Sequence, residues 1–521
     1  MTNPATICPP PLPAGKHAGH RRVAIPTTTR ALAGHATALH HAGFRLALVA
    51  AHDDRDRLRA VYLYTATAPD RRVELHLPVD RDDPTVPSLA GLSFPAGRFE
   101  REMHDLYGIQ PQDHPLPRRL VRHQHWPSGW YPMRTDAGPP PAFADTDGPF
   151  PFLTVQGPGV YEIPVGPVHA GLIEPGHFRF SVVGESILKL KARLWYVHKG
   201  IEKLFQGRDI SGGLPLAERV SGDTAVGHAL AYCQAIEDAL HLPVPPEAHR
   251  IRAILLELER LYNHISDIGA LCNDVGHSVL HAHAMRVKET LLRLNKNTTG
   301  HRLLRGGIHS GGATLHHTPN PDQLVSIGDD IREIVHLALT NSLVAERFTG
   351  TAILTTQQAR DLGTLGYVAR ASGIDIDARR DHPTISVEDL RQPDPLTIPT
   401  HTSGDVLARF HQRAAEIDAS LTLLDTLVRT VSSGTVTNWP ATEHPPAPGP
   451  VASGVGIVEG WRGTIVYRVE INAGQHVTRV KIVDPSFLNW PALPVALAGT
   501  IVPDFPLANK SFNLSYAGND L

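Results

Sequence analysis

The sequence predicts an α+β protein: a small N-terminal α/β domain, then a mainly helical domain with strands at its periphery. Three observations carry that prediction. Short alternating apolar runs crowd the early part of the chain, a 3.6-residue apolar period fills the middle, and alternation returns over roughly the last ninety residues.

The first twenty residues, with Pro9, Pro10, Pro11 and Pro13, read as a disordered tail, 1–20. The α/β domain is expected over 21–135. Thr27–Ala42 supplies a helix, and Phe44–Ala51, Leu58–Tyr64 and Val73–Pro78 supply strands; a loop-rich segment closes the domain near Met133. Residues 136–157 carry Pro139, Pro140, Pro141, Pro149 and Pro151 and read as a linker. The helical domain is expected over 158–521. Ile251, Ile254, Leu255, Leu258, Leu261 and Ile265 keep one helical face, and similar patterns cover 186–206, 224–241, 277–296, 322–346 and 403–432. A Pro- and Asp-rich excursion is expected at 375–402, and Gly463–Ile471 is the clearest late strand.

Composition removes several classes of function. Across 521 residues, 49 Lys and Arg stand against 52 Asp and Glu for a formal charge of -3, so no basic field draws nucleic acid. Cys8, Cys233 and Cys272 are too scattered for a four-thiolate metal or cluster site. Neither a signal peptide nor a membrane-spanning run is expected. Among 31 histidines, pairs such as His123/His125 and His281/His283 stand two apart, a spacing that turns them away from each other on a helix. Gly306–Gly312 lacks the lysine of a phosphate loop, and no Gly-x-Ser-x-Gly elbow occurs.

Other segments carry a resemblance. Glu100-Arg-Glu-Met-His-Asp-Leu-Tyr-Gly-Ile109, with His114-Pro115, Arg118-Arg-Leu120 and Tyr131-Pro-Met-Arg134, is similar to the C-type subunit of respiratory complex I. Gly166-Pro-Val-His169, Gly184-Glu185, Tyr196-Val-His-Lys-Gly-Ile-Glu-Lys203 and the run from His228 to Glu237 resemble the D-type subunit of the same complex, and equally the large subunit of membrane-bound [NiFe] hydrogenases. A fused C–D chain resembles the formate hydrogenlyase and hydrogenase-4 large subunits. The resemblance covers roughly 25–135 and 158–521.

What the resemblance implies follows position by position. The hydrogenases hold nickel and iron through four cysteines, in RxCGxC and DPCxxC motifs. Here these read Arg219-Val-Ser221-Gly-Asp-Thr224 and Asp484-Pro-Ser486-Phe-Leu-Asn489, so Ser221, Thr224, Ser486 and Asn489 replace the thiolates and no metal site is expected. The quinone-site histidine and tyrosine of the D-type subunit fall near Ile173 and Gly222, where neither residue type stands. Glu174-Pro-Gly-His177 resembles a proton-passing Ile-Glu-Gly-His segment. The resemblance therefore implies a polar cleft of Glu174, His169, His177, His228, Arg219, Asp223, Glu237 and Asp484 that relays protons, against the alternative that these groups only satisfy one another. His198-Lys199 resembles the cationic pair beside the terminal cluster of the neighbouring small protein.

As a whole, the resemblance implies one component of an oxidoreductase complex of the NADH–quinone oxidoreductase or hydrogenase type. It would bind no cofactor itself, with iron–sulfur clusters in a small partner subunit, a quinone as candidate acceptor, and antiporter-like membrane-arm partners at the cytoplasmic face of the membrane. A true [NiFe] hydrogenase and a non-catalytic coupling scaffold remain the alternatives.

Overall fold

The computed structural model describes residues 7–67, 69–144, 148–171, 173–383, 396, 398–439 and 449–521. The N-terminal part is a five-stranded sheet built from β1 (Lys16–Gly19), β2 (Arg22–Pro26), β3 (Arg45–Asp53), β4 (Leu58–Ala66) and β5 (Arg71–Val79), in the order β1-β2-β5-β4-β3. Helix α1 (Thr29–His41) connects β2 to β3, its first turn capped by the Thr28 hydroxyl accepting from Ala31 N at 3.3 Å. Helix α2 (Phe94–Tyr107) lies against β3 and ends at Gly108, whose φ of 73° closes the helix in the left-handed region.

The Glu100–Ile109 signature is spent on this fold. Glu100 accepts from Leu89 N and the Ser88 hydroxyl, both at 2.6 Å. Asp105 gathers the N–H groups of Leu120, Val121 and Arg122, and Glu102 pairs with Lys481 at 2.6 Å. These bonds order the loop after α2 and tie it to the far end of the chain.

A three-stranded hairpin sheet follows, from β6 (Val160–Val165), β7 (His177–Val183) and β8 (Ser186–Arg193). The helical body comprises α3 (Ala225–Leu240), α4 (Pro246–Asp274), α5 (Ser278–Thr299), α6 (Pro321–Thr340) and α7 (Val406–Val428). A meander of β9 (Val451–Gly460), β10 (Gly463–Asn472) and β11 (Val477–Val483) sits between these helices and the N-terminal sheet, and α8 (Phe505–Phe512) follows it.

Two expectations are corrected. The tail does not run to residue 20, because Lys16–Gly19 pairs antiparallel with β2; residues 1–6 lie outside the described residues. The helix expected over 186–206 is strand β8 over Ser186–Arg193 and a short helix over Ile201–Phe205. A bulge between Ile187 and Lys189 shifts the strand's alternation, so Ile187, Leu190 and Lys191 are buried at spacings that imitate a helix. Most of the 375–402 excursion, residues 384–395 and 397, lies outside the described residues.

The meander is clamped on both faces. On one, Gly454 and Gly456 of β9 meet α3 so closely that a Cβ on either would overlap the carbonyl oxygens of Ala235 and Ala231. On the other, ion pairs cross to the N-terminal sheet: Arg468–Glu74 at 2.9 Å and Arg59–Glu470 at 3.1 Å. The apolar core of the small sheet is continuous with the meander, through residues such as Val455, Ile457 and Val466.

His52 lies in this seam, 3.3 Å from Glu470 and 3.2 Å from Arg468, and burial, resisted by Glu470, pushes its pKa down to about 4. A histidine lowered in the fold leaves the unfolded chain binding more protons between its two pKa values. Stability from this group is therefore complete above about pH 6.5 and falls as pH drops towards 4, by roughly 3 kcal/mol in all. Denaturant titrations of wild type and His52→Gln should diverge over that window, with the variant's profile flatter.

Candidate functional site

Two chain turns bring the site together. Residues Arg219–Thr224 lead into the N-terminus of α3, and β11 leads into Asp484, which caps the short helix Pro485–Asn489 by accepting from Ser486 N at 2.7 Å. Both turns meet residues 513–521, which follow α8.

The inner cluster is a continuous hydrogen-bond lattice. Ser221 donates to Asp223 at 2.9 Å and Thr224 to the same oxygen at 3.0 Å. With its proton so used, Ser221 accepts from the Ser515 hydroxyl at 2.8 Å, and Ser515 N donates to Ser486 Oγ at 3.0 Å. Outside that lattice, Asn489 makes a two-way pair with the backbone of Leu365, at 2.8 and 3.1 Å. Arg462 grips Asp223 with two bonds of 2.7 Å. Burial works to raise the Asp223 carboxyl, but Arg462 outweighs it and holds the group at about 2.

Beside this lattice runs a buried triad. His228 Nε2 lies 3.0 Å from Asp484 Oδ2 and its Nδ1 3.0 Å from the Tyr467 hydroxyl. Burial pushes Tyr467 well above its ordinary value, so its O–H donates to Nδ1, and Nε2–H donates to the carboxylate. Asp484 is held low against its burial by His228 and then Arg462. Gly518 touches this carboxylate so closely that a Cβ there would lie 2.5 Å from Asp484 Cγ.

Glu174, His169, His177, His198 and Lys199 form an outer group. His169 bonds Gly176 O at 2.8 Å and His177 bonds Gly166 O at 3.0 Å, so the two histidines fasten the loop between β6 and β7. Glu174 accepts from Ala517 N at 3.2 Å. His198 reaches Asp520 O at 2.9 Å, while Lys199 is exposed and donates to Val220 O at 3.4 Å. Burial lifts the Asp520 carboxyl to about 6, with Glu174 adding to the rise. A cleft of about 620 Å3 opens here, lined by His123, Trp126, Phe152, His177, Tyr196 and His198.

Two expected members stand elsewhere. Arg219 is exposed, donating to Pro215 O at 2.7 Å and facing Glu218 at 3.7 Å. Glu237, further along α3 from His228, is buried against Arg252 and Gly311 N. The sequence reading missed Arg462, Tyr467, Ser515, Asp520 and Glu259. Glu259 accepts from Val226 N at 2.7 Å and Gly227 N at 3.0 Å at the start of α3, and burial beside Asp223 pushes it up to about 8. Its only signal was an acid on the apolar side of α4's period.

Among the described residues, no group of three or more His, Cys, Asp or Glu is placed to hold a metal ion. Cys233 and Cys272 are buried, and burial lifts both thiols to about 12. No helix among the described residues is long and apolar enough to cross a membrane.

Residues 274–520 match the respiratory-chain NADH dehydrogenase 49 Kd subunit family, 24–141 the 30 Kd subunit family, and 199–272 the nickel-dependent hydrogenase family. The chain is 30% identical to formate hydrogenlyase subunit 5 of Escherichia coli, over 86% of this chain and 79% of that one. It is 32% identical to hydrogenase-4 component G of the same organism, over 85% and 77%. The C/D subunit of the NADH-quinone oxidoreductase of Phocaeicola vulgatus is 28% identical over 77% and 80%. In fold, the chain resembles a chain of the membrane-bound sulfane sulfur reductase, an archaeal respiratory membrane complex, with a TM-score of 0.63 at 22% identity, covering 70% of this chain and 99% of that one. Fused 30 Kd-like and 49 Kd-like parts in one chain, with these identities and coverages, mean that the chain belongs to the family of formate hydrogenlyase subunit 5 and hydrogenase-4 component G.

Proposed function

We propose that this chain is the large peripheral subunit of a membrane-associated oxidoreductase complex and works without a nickel–iron centre of its own. Electrons would come from an iron–sulfur cluster in a small partner subunit and be coupled to proton or ion movement. Antiporter-like membrane-arm subunits at the cytoplasmic face would carry that movement.

One observation carries the nickel-free part. Ser221, Thr224, Ser486 and Asn489 stand where the resemblance implies four thiolates, and each is spent on hydrogen bonds inside the chain. Nickel and low-valent iron need soft, bridging sulfur donors, which neutral hydroxyls and an amide do not supply. Arg462 also brings a fixed positive charge to Asp223 in the same cluster. The residues present do not fit the metal pair.

The proton-handling part is supported by the outer group. Glu174 stands half-buried beside Ala517 N and adds to the rise of Asp520, whose carboxyl near 6 can take and release a proton at neutral pH. His198 meets the carbonyl of the same residue. The aromatic cleft beside His198 is the space we assign to the electron acceptor, and a quinone ring suits its lining.

The closed hydrogen-bonding of the inner lattice supports a second reading, a coupling scaffold with no chemistry of its own. One experiment separates the readings. In the purified complex, Glu174→Gln should leave assembly intact and lower coupled turnover at least about tenfold. Wild-type turnover in the assembled variant would establish the scaffold. Metal analysis of the same preparation should find nickel far below stoichiometric, and one nickel per complex would refute the nickel-free reading.

A further inference from the structure

A second cavity of about 370 Å3 opens between α2, the end of β8 and the Pro491–Pro494 turn, and shares Phe150, Phe152, Arg193 and Trp195 with the cleft beside His198. Its walls are aromatic and its charged lining is cationic. Arg98 and Arg101 come from α2, Arg118 from the loop that the Asp105 carboxylate orders, and Arg193 from the end of β8. The rings of Phe150 and Trp195 space the guanidiniums. Arg118 and Arg193 lie 5.3 and 4.6 Å from the Phe150 centroid, and Arg98 and Arg193 lie 5.6 and 5.8 Å from that of Trp195.

No carboxylate among the described residues is in an ion pair with any of the four. The acids nearest them are committed elsewhere: Glu102 to Lys481, Asp105 to backbone N–H groups, and Asp520 to Val197 N. Arg101 donates to the carbonyls of Arg118 and Arg119, and Arg193 to those of Leu120 and Arg122. These bonds fix direction without cancelling charge. Nε of Arg98 and of Arg118 is buried with no partner at all. Burial lowers the pKa of all four, and neighbouring guanidiniums lower Arg98 and Arg101 further. Arginine nevertheless keeps its proton, so the repulsion stands. A partly buried set of like charges needs a compensating anion.

We propose that this cavity binds a small organic polyanion, a phosphate ester or polycarboxylate. Its charge would sit among Arg98, Arg101, Arg118 and Arg193, and its apolar part on Trp195. Planar guanidiniums match phosphate and carboxylate oxygens two at a time, and the volume is that of a small-molecule pocket. This site stands apart from the Asp484–His228 triad and does not depend on the electron-transfer reading.

Calorimetric titration of the purified full chain with inorganic pyrophosphate, and separately with citrate, tests it. At least one should bind saturably at one site, more weakly as salt is raised. Arg118→Gln should weaken that binding at least about tenfold and Arg118→Lys by less. Arg332→Gln, at an exposed arginine paired with Asp329 and Asp418, should leave it within about twofold. The melting temperature of ligand-free Arg118→Gln should not fall, because a like charge has been removed. Absence of saturable binding by both anions would overturn the proposal. So would binding that Arg118→Gln and Arg98→Gln leave unchanged.

Discussion

Replacing Arg370 with leucine should cost about 5 kcal/mol of folding stability, the upper end of what removing one partner from a buried ion pair costs. The guanidinium is fully buried among three carboxylates, 2.8 Å from Glu416, 2.8 Å from Glu459 and 3.2 Å from Asp377. Burial opposes its charge, but Glu416 and then Asp377 raise its pKa above the ordinary arginine value, so it stays cationic. Without it, three acids share a dry interior with fewer cations. Arg260 and Arg379 remain nearby, pairing Glu257 at 3.1 Å each, and cannot take over all three. Removing Glu416 as well should restore part of the loss, because deleting both members of a buried pair is milder than stranding one. Urea titration of Arg370→Leu, Glu416→Leu and the double variant checks this, and strict additivity would count against the coupling.

Asp484→Ala is expected to be the next most damaging change, at about 3–4 kcal/mol. It strands His228 Nε2 in the interior and also removes the cap on Ser486 N. Asp484→Asn keeps an oxygen for Ser486 N, and its amide N–H can donate to His228 Nε2 once the imidazole proton moves to Nδ1, so it should cost less than half as much. The pH dependence has a definite sign. The folded carboxyl lies below its ordinary value, so its contribution is complete above about pH 4 and is lost as pH falls through the lowered pKa. Acid titration of wild type should show that loss, and Asp484→Asn should lack it.

Much of the fold was legible because burial on one face leaves a period. Strands β3 to β5 and helices α3, α5 and α7 show as alternation or a 3.6-residue repeat with ends within four positions of those found, whereas α4 runs well beyond the 251–265 face at both ends and α6 stops at Thr340, short of the expected 346. Strand β8 did not, because its bulge breaks the alternation. The polar stripe of α4 was legible only as interspersed charge. Glu257, Glu259, Arg260, His264 and Asp267 are all buried there, satisfied by residues far away in sequence such as Glu416, Arg413 and Arg379. Nothing local in the chain reports such partners.

The site was half legible for the same reason. Motif positions bring Ser221, Asp223, His228, Asp484, Ser486 and Asn489 to one place, because both turns are short, one capped by Asp484 and the other held by Glu259 at the first N–H groups of α3. Arg219 belonged to the same motif and points outward, since a turn reverses direction within two residues. Ser515, Gly518 and Asp520, which join the inner lattice to the outer group, carry no motif that marks them. Their role comes entirely from where α8 delivers the chain.

The seam between α3 and β9 gives the site a mechanical property. Where Gly454 and Gly456 meet Ala231 and Ala235, main chain rests on main chain, with no rotamer between them that could relax. His228 rides on that helix, and Tyr467 lies on the adjoining strand opposite Gly456. The seam therefore works as a hard stop. The spacing from Tyr467 through His228 to Asp484 should be nearly incompressible, so any motion that accompanies turnover would be taken up at the far side of the triad, where Gly518 rests residues 513–521 against Asp484.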